Sequence, residues 1–230
     1  MLNNTEKTHF YNEISLFENL PANSKDKVLN NLEILTLKKN NYLFDNEQTN
    51  DRVYFVLQGR VKILNSFKNG KTSIKRILYA GDFWGEYALV DVKEANHFES
   101  AAKAMDKETI VAAVSLDFFK KLCNQHPQIF QLLYQKTVNT FRKVDNRLSS
   151  IMLKKSKQII IDFLNELAVD IGRPIGYETL IKHNLTHQEI ANMTGISRQK
   201  VTTILNELKQ EGLIHLERNA ILVHDLKMLR

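Results

Sequence analysis

The 230-residue chain has one cysteine, Cys123, and that scarcity excludes a good deal. A single thiol cannot build an internal disulfide framework, nor the cysteine set of an iron–sulfur cluster or a structural zinc site. Apolar runs are also short. None approaches the roughly 18 residues of a membrane-spanning helix, and the opening M-L-N-N-T-E-K-T-H-F holds no apolar signal-peptide core. The expectation is a cytoplasmic protein without a membrane segment. Catalytic signatures are missing as well. No nucleophile–base pair, metal-ligand cluster or Walker-type loop stands out, which argues against an enzyme.

What is present is enough apolar content, 43%, for one large or two modest domains. The net charge of +6 is compatible with a nucleic-acid partner without establishing one. It is unevenly placed. Between His126 and Lys157 lie Lys136, Arg142, Lys143, Arg147, Lys154, Lys155 and Lys157, against Asp145 alone. The plainer reading of that run is a solvated helix face.

The most informative stretch is L-T-H-Q-E-I-A-N-M-T-G-I-S-R-Q-K-V-T-T-I-L-N-E-L, Leu185 to Leu208. Thr186 followed three residues later by Glu189 predicts a capping box, with Ile190, Ala191 and Met193 as the apolar side of a first short helix. Gly195 supplies the positive φ of a sharp turn. Ser197 then caps a second helix, with Val201, Ile204, Leu205 and Leu208 at i, i+3, i+4, i+7 as its buried stripe. Its other face carries Arg198, Gln199, Thr202, Thr203 and Asn206, side chains suited to base edges: Arg to guanine, Gln or Asn to adenine. His187, Gln188, Ser197 and Lys200 are placed for phosphates, which position a protein on DNA without reading sequence, and Thr186 is a further candidate DNA-binding residue. An ordinary helical hairpin would look similar. The segment C-terminal to it is more specific: Gly212 stops the helix, and Leu213–Leu216 and Ala220–Val223 predict two strands around Glu217-Arg218-Asn219, a wing.

Upstream, residues 1–35 read as amphipathic helix, with Ile14, Leu16, Phe17 and Leu20, a break at Pro21, then Val28, Leu29 and Leu32. From Glu33 to Val114 the pattern changes to short strands at 34–37, 42–44, 53–57, 61–64, 73–78 and 109–114. The turns are marked by Gln58-Gly59, Asn69-Gly70 and Ala80-Gly81-Asp82, of which Asn69-Gly70 is a strong hairpin signal. Many short strands at regular spacing predict an antiparallel roll or barrel, able to hold one ligand. Within it, G-D-F-W-G-E-Y-A offers a candidate site. A short helix could aim backbone N–H groups at an anion, with Glu86 available for a sugar hydroxyl. A strand connection around a buried Trp84 remains the simpler alternative.

From Ser115 the chain turns helical. Asp117 to Cys123 predicts a short helix, and Pro127 opens a longer one to about Lys154. Phe130, Tyr134, Thr137, Phe141, Val144, Leu148 and Ile151 follow a 4-3-4-3-4-3 spacing, an a/d seam. Ile129, Leu132, Leu133 and Val138 form a second stripe that could face the roll. Two apolar faces suit a helix joining a sensor to a two-fold mate, with a single core helix as the alternative. Asn146–Ser156 reads as a hinge. Ile159, Ile160, Phe163, Leu164 and Leu167 predict another helix. Gly172, Pro174 and Gly176 mark a loop, and Tyr177–His183 a strand.

Taken together, the G-D-F-W-G-E-Y-A-L roll, the long helix with K-V-D-N, and T-H-Q-E-I-A-N-M-T-G-I-S-R-Q-K-V resemble the Crp/Fnr family of bacterial transcription regulators over nearly the whole chain. The resemblance implies an α+β fold: a cyclic-nucleotide-binding-like antiparallel β-roll at 1–125, a dimerisation helix and hinge at 126–155, and a winged helix-turn-helix at 156–230. It implies a homodimer on two-fold double-stranded DNA, working with RNA polymerase. It also implies an effector pocket at Gly85, Glu86, Tyr87, Glu99, Ser100, Thr140 and Phe141.

The departures bear on that pocket. In cyclic-AMP-responsive members an Arg-Ser pair holds the cyclic phosphate. Here Glu99-Ser100 stands in its place, and no arginine occurs from Gly85 to Ala104. A carboxylate repels a phosphate, and the bidentate contact is lost. Thr140-Phe141 replaces the family's Thr-Ser. Cyclic AMP is therefore not the expected effector, and no cofactor is expected, although Lys93 or Lys103 could substitute for the arginine. A haem-binding branch would have His9, His97 and His126 as candidate ligands, where surface histidines are the simpler reading. In the recognition helix, Gln199 and Thr203 stand where the family commonly has an acid and a second arginine, which moves the preferred half-site towards adenine at Gln199. The competing function is a small-molecule module acting through protein partners with a vestigial winged domain. The intact apolar stripe and Arg198 argue against it.

Overall fold

The computed structural model describes residues 10–11, 13–45, 51–66, 72–89 and 100–229. The chain divides into two compact units, Met1–Asn139 and Thr140–Arg230.

The first unit is built on two antiparallel sheets. One orders β1 (Leu32–Lys38), β8 (Glu108–Ser115), β3 (Arg52–Gln58) and β6 (Phe83–Trp84). The other orders β2 (Tyr42–Phe44), β7 (Ser100–Ala104), β4 (Val61–Ser66) and β5 (Thr72–Leu78). β3 explains why its V-Y-F-V-L run is apolar without alternation: both of its faces are buried. Val53, Phe55 and Leu57 pack towards the helical layer, while Tyr54 and Val56 point into the roll interior with Phe44, Ile63, Leu78 and Trp84. The helical layer is α1 (Ala22–Asn30), α2 (Leu116–Gln125) and the start of α3 (Pro127–Leu153). Ser115 caps α2 by accepting the Phe118 N–H. Phe17, Phe55 and Phe119 meet there with ring centroids 5.3–6.2 Å apart.

The strands expected from the sequence are present, and β6 and β7 are additional. β7 reads S-A-A-K-A, a composition with weak strand preference. Its place between β2 and β4, with alanines buried against the roll interior, decides its conformation. The Asn69-Gly70 turn lies outside the described residues. Of the second stripe on α3, Ile129 and Leu133 are buried and Leu132 packs beside them, but Val138 is exposed. The thiol of Cys123 is buried in this layer, which pushes its pKa up to about 11. His126 meets Ser24 Oγ through Nε2 at 2.8 Å, a packing contact. His9 and His97 lie outside the described residues.

In the second unit, α4 (Ser156–Ile171) leads to β9 (Gly172–Ile175) and β10 (Glu178–Ile181), then α5 (His187–Thr194), α6 (Arg198–Gln210), β11 (Ile214–Glu217) and β12 (Ala220–Val223). The sheet orders β11-β12-β10-β9. The loop expected at 172–176 is a correction: Gly172–Ile175 is a strand paired with β10, Pro174 opposite Thr179. β9 is an edge strand, where proline's missing N–H is tolerated. The expected hinge is also narrower than 146–156, because α3 stays helical to Leu153 and the chain turns at Lys154-Lys155.

Three cations of the basic run meet acids of α4. Lys143 bonds Asp170 at 2.6 Å, one nitrogen of Arg147 reaches both oxygens of Glu166 at 2.9 Å, and Lys154 bonds Asp162 at 2.7 Å. Lys157 pairs with Glu211, which caps the C-terminus of α6. Burial alone would raise the Asp162 carboxyl. Hydrogen bonds from Lys154, Gln158 and Ser150 outweigh it and hold the group below its usual range. A carboxyl whose folded pKa lies below its unfolded value stabilises above the unfolded value, about pH 4, and loses that contribution as pH falls through the folded value. Thermal unfolding followed between pH 7 and 3 is therefore expected to show an acid-side loss in Tm. Asp162→Asn should lower Tm at neutral pH and flatten part of that loss. An unchanged acid profile in the variant would contradict the role given to this carboxylate.

Candidate nucleic-acid interface and sensor site

The helix-turn-helix is assembled by local chemistry. Thr186 Oγ1 accepts the Glu189 N–H at 3.2 Å, and the Glu189 carboxylate takes the Thr186 N–H at 3.0 Å, the reciprocal capping box. Gly195 ends α5 at φ +72°, and Ser197 Oγ caps α6 through the Lys200 N–H at 3.3 Å. Val201, Ile204, Leu205 and Leu208 are buried together with Ile160, Leu164 and Ile190. That burial fixes the opposite face of α6, where Arg198, Gln199, Lys200, Thr203 and Asn206 are exposed and Thr202 is half-buried.

Several of the polar groups on this surface already have partners. Thr202 donates its hydroxyl to the Arg198 carbonyl at 3.0 Å, and Thr203 does the same to Gln199 at 3.1 Å. His187 Nδ1 lies 2.8 Å from Thr202 Oγ1. Because that hydroxyl proton is already directed at a carbonyl, the network assigns the N–H to Nδ1 and ties the start of α5 to α6. Gln188 Nε2 donates to Asn192 Oδ1 at 2.9 Å. Arg198, Gln199 and Lys200 at the N-terminus of α6, and Asn206 further along it, remain outward. In the wing, Ile214 stands opposite Val223 and Glu217 opposite Ala220, with Asn219 at φ +66° in the tip.

In the roll, Gly85 sits at φ +113°, and a Cβ there would lie 2.7 Å from the Arg52 carbonyl oxygen. Only glycine fits this close approach to β3. Glu86 opens a short 3-10 turn, Glu86–Leu89, which also contains Tyr87. Ser100 is buried at the start of β7, and its hydroxyl donates to Asn65 Oδ1 at 3.0 Å. Glu99 and Lys93 lie outside the described residues, and Lys103 stands over the Tyr42 ring at 4.1 Å. Thr140 and Phe141 are on α3 in the second unit, Thr140 half-buried and Phe141 exposed.

The sequence reading missed the cation that does sit beside Glu86. Arg76 on β5 pairs with Ile63 of β4 and lies two residues before Leu78, both interior residues of the roll. It donates to Glu86 Oε1 at 3.2 Å and to the Phe83 carbonyl at 3.0 Å, and lies 5.8 Å from the Trp84 ring centroid. The I-K-R-I-L pattern does not say which of Lys75 and Arg76 turns inward. The irregular register of β4 and β5 between Ile63 and Leu64 decides it.

Two family descriptions match the chain in order: a cyclic nucleotide-binding domain over residues 34–126 and a Crp-like helix-turn-helix domain over 160–230. The chain belongs to the Crp/Fnr family of transcription regulators. A CRP-like cAMP-activated global transcriptional regulator of Mycobacterium tuberculosis is 24% identical over 218 residues, 93% of this chain and 94% of that protein. A global nitrogen regulator of Nostoc is 23% identical, covering 82% and 84%. Among solved structures, a CooA variant of Carboxydothermus hydrogenoformans shares the fold with a TM-score of 0.75 at 20% identity, covering 100% of this chain and 96% of that one.

Crp/Fnr proteins are transcription regulators rather than enzymes, and they bind DNA through the helix-turn-helix. This member therefore carries a DNA-binding domain and a domain of the cyclic-nucleotide-binding type. Among the described residues no helix is long and apolar enough to cross a membrane, and no cluster of His, Cys, Asp and Glu could hold a metal ion.

Proposed function

We propose that this Crp/Fnr protein acts as a cytoplasmic homodimer on two-fold DNA sites, reading bases with α6 and acting on RNA polymerase at its promoters. Residues 1–125 sense, 126–155 join, and 156–230 bind DNA. The observation that carries the reading is the face of α6, where Arg198 and Gln199 stand outward at the helix N-terminus, the end that meets base edges in a helix-turn-helix. Thr186, His187, Gln188, Ser197 and Lys200 flank it on the phosphate side, and Thr202, Thr203 and Asn206 continue along α6. The second copy is supported by the exposure of the α3 seam: Phe130 49%, Tyr134 65%, Phe141 69%, with Val144, Leu148 and Ile151 also open. Apolar surface of this regular kind favours a matching partner. The effector is a small molecule other than cyclic AMP, because the phosphate-holding arginine of the cassette is replaced by Glu99.

Arg198→Ala tests the reading of α6. It is expected to lower specific DNA affinity by about 1–3 kcal/mol and to relax one base position per half-site. Binding titrations on a selected site and on its single-base variants measure both effects. Unchanged affinity and unchanged base preference would place this helix face away from the bases.

A further inference from the structure

We propose that Arg76 is the anion-recognising residue of the sensor domain, and that the effector carries a phosphate or carboxylate group that binds its guanidinium in the interior of the roll. The proposal rests on the reading of residues 34–126 as a ligand-binding sensor and names the chemical class it takes.

A charge stands here in an apolar place. Arg76 is an inward residue among Ile63, Leu78 and Trp84, with its side chain 19% exposed, and Glu86 beside it is 11% exposed. A pair so far removed from water is favourable only when its geometry is good and its remaining polar atoms are satisfied. Here neither condition holds. The contact is single-armed and 3.2 Å long, where charge-assisted pairs close to about 2.7–2.9 Å and arginine can bind a carboxylate with two parallel bonds. The second carboxylate oxygen, Glu86 Oε2, is buried with no hydrogen-bond partner among the described residues.

The unfinished valences are complementary. A guanidinium has five N–H donors, and Glu86 Oε1 and the Phe83 carbonyl take only part of that fork. A ligand with an anionic group for Arg76 and a hydroxyl or amine donor for Glu86 Oε2 would complete both. The Trp84 ring gives the site a flat apolar wall.

The site also has a route to α3 inside the first unit. Lys136 of α3 donates to the Gly81 carbonyl at 2.8 Å, four residues before Gly85. Burial lowers the pKa of Lys136, Asp82 acts against that shift, and Arg76 adds to it more weakly. An anion on Arg76 would thus be felt by the helix that carries the dimer seam.

Trp84 is the chain's single tryptophan, so its fluorescence reports on this site alone. The full-length protein is titrated with inorganic phosphate in one arm and glutarate in the other. Ionic strength is held constant with sodium chloride, and DNA affinity is measured in parallel. A saturable change in Trp84 emission is expected in one arm, which tells a phosphate-bearing from a carboxylate-bearing effector. Arg76→Ser should raise the half-saturating concentration roughly tenfold or more. Arg76→Lys, which keeps the charge but loses the fork, should fall between. Circular dichroism checks that both variants are folded.

Two results overturn the proposal: no saturable response to either anion in the wild type, or an equal response in folded Arg76→Ser. A saturable response to cyclic AMP that is indifferent to Arg76 would also overturn it while leaving the sensor reading intact. Arg76-dependent binding with no change in DNA affinity would support the anion site and count against the sensor reading.

Discussion

Leu205→Ala is expected to destabilise the second unit by about 2–5 kcal/mol and to abolish specific DNA binding at temperatures where the wild type is active. Leu205 is 1% exposed, on the buried stripe of α6 with Val201, Ile204 and Leu208. Truncation removes its burial and leaves a cavity that helices held by caps and a glycine turn cannot close without shifting. A domain is stable by only about 5–15 kcal/mol, so the loss is a large fraction of the total. The effect should be confined. The roll has its own core around Phe55 and Phe119, which Leu205 does not join, so thermal unfolding should show the second unit melting early. A variant with wild-type melting and wild-type DNA affinity would mean that the α6 stripe does not hold the recognition face in place.

Phe141→Glu is expected to split the proposed dimer. Phe141 lies near the middle of the 4-3-4-3-4-3 series on α3 and is 69% exposed in the single chain. At a two-fold interface each substitution acts twice. Two large aromatic contacts are lost, worth about 3–5 kcal/mol apiece when fully buried, and two carboxylates come to face one another. Loss of only about 3 kcal/mol of this, as for partly buried rings, already raises the dissociation constant roughly a hundredfold, since each 1.4 kcal/mol is tenfold. Specific DNA affinity should fall with it, because a monomer engages one half-site. Analytical ultracentrifugation reads the first effect and a binding titration the second. A variant that sediments as the wild-type dimer would remove the seam from the dimer interface.

Features set by near neighbours in sequence were legible in it. The Thr186/Glu189 capping box, the Gly195 turn, the Ser197 cap and the α6 stripe all depend on residues within one or two helical turns, and the structure forms each of them. So do the wing and the strands of the roll that carry β-branched or aromatic runs. What was not legible depends on partners far along the chain. β7 is a strand because two sheet neighbours make it one, against the weak preference of its alanines. The cations between His126 and Lys157 read as a solvated face, yet Arg147 meets Glu166 and Lys154 meets Asp162. Pro174 read as a loop because an edge strand cannot be told from a turn without its neighbours. Of the sensor site, Gly85 and Glu86 could be placed. Arg76 could not, since an irregularity in strand pairing turns it inward. Glu99, whose charge is expected from the sequence to disfavour cyclic AMP, lies outside the described residues.

The most direct test of the central claim is selection of double-stranded DNA from a randomised pool by the purified, ligand-free, full-length protein at near-physiological salt. Enrichment of a two-fold motif with half-sites about one helical turn apart is the expected result, with at least one base position per half-site that Arg198→Ala no longer selects. Recovery of only sequence-independent fragments, released in proportion to added salt, would contradict a dimer whose ligand-free form reads bases through α6.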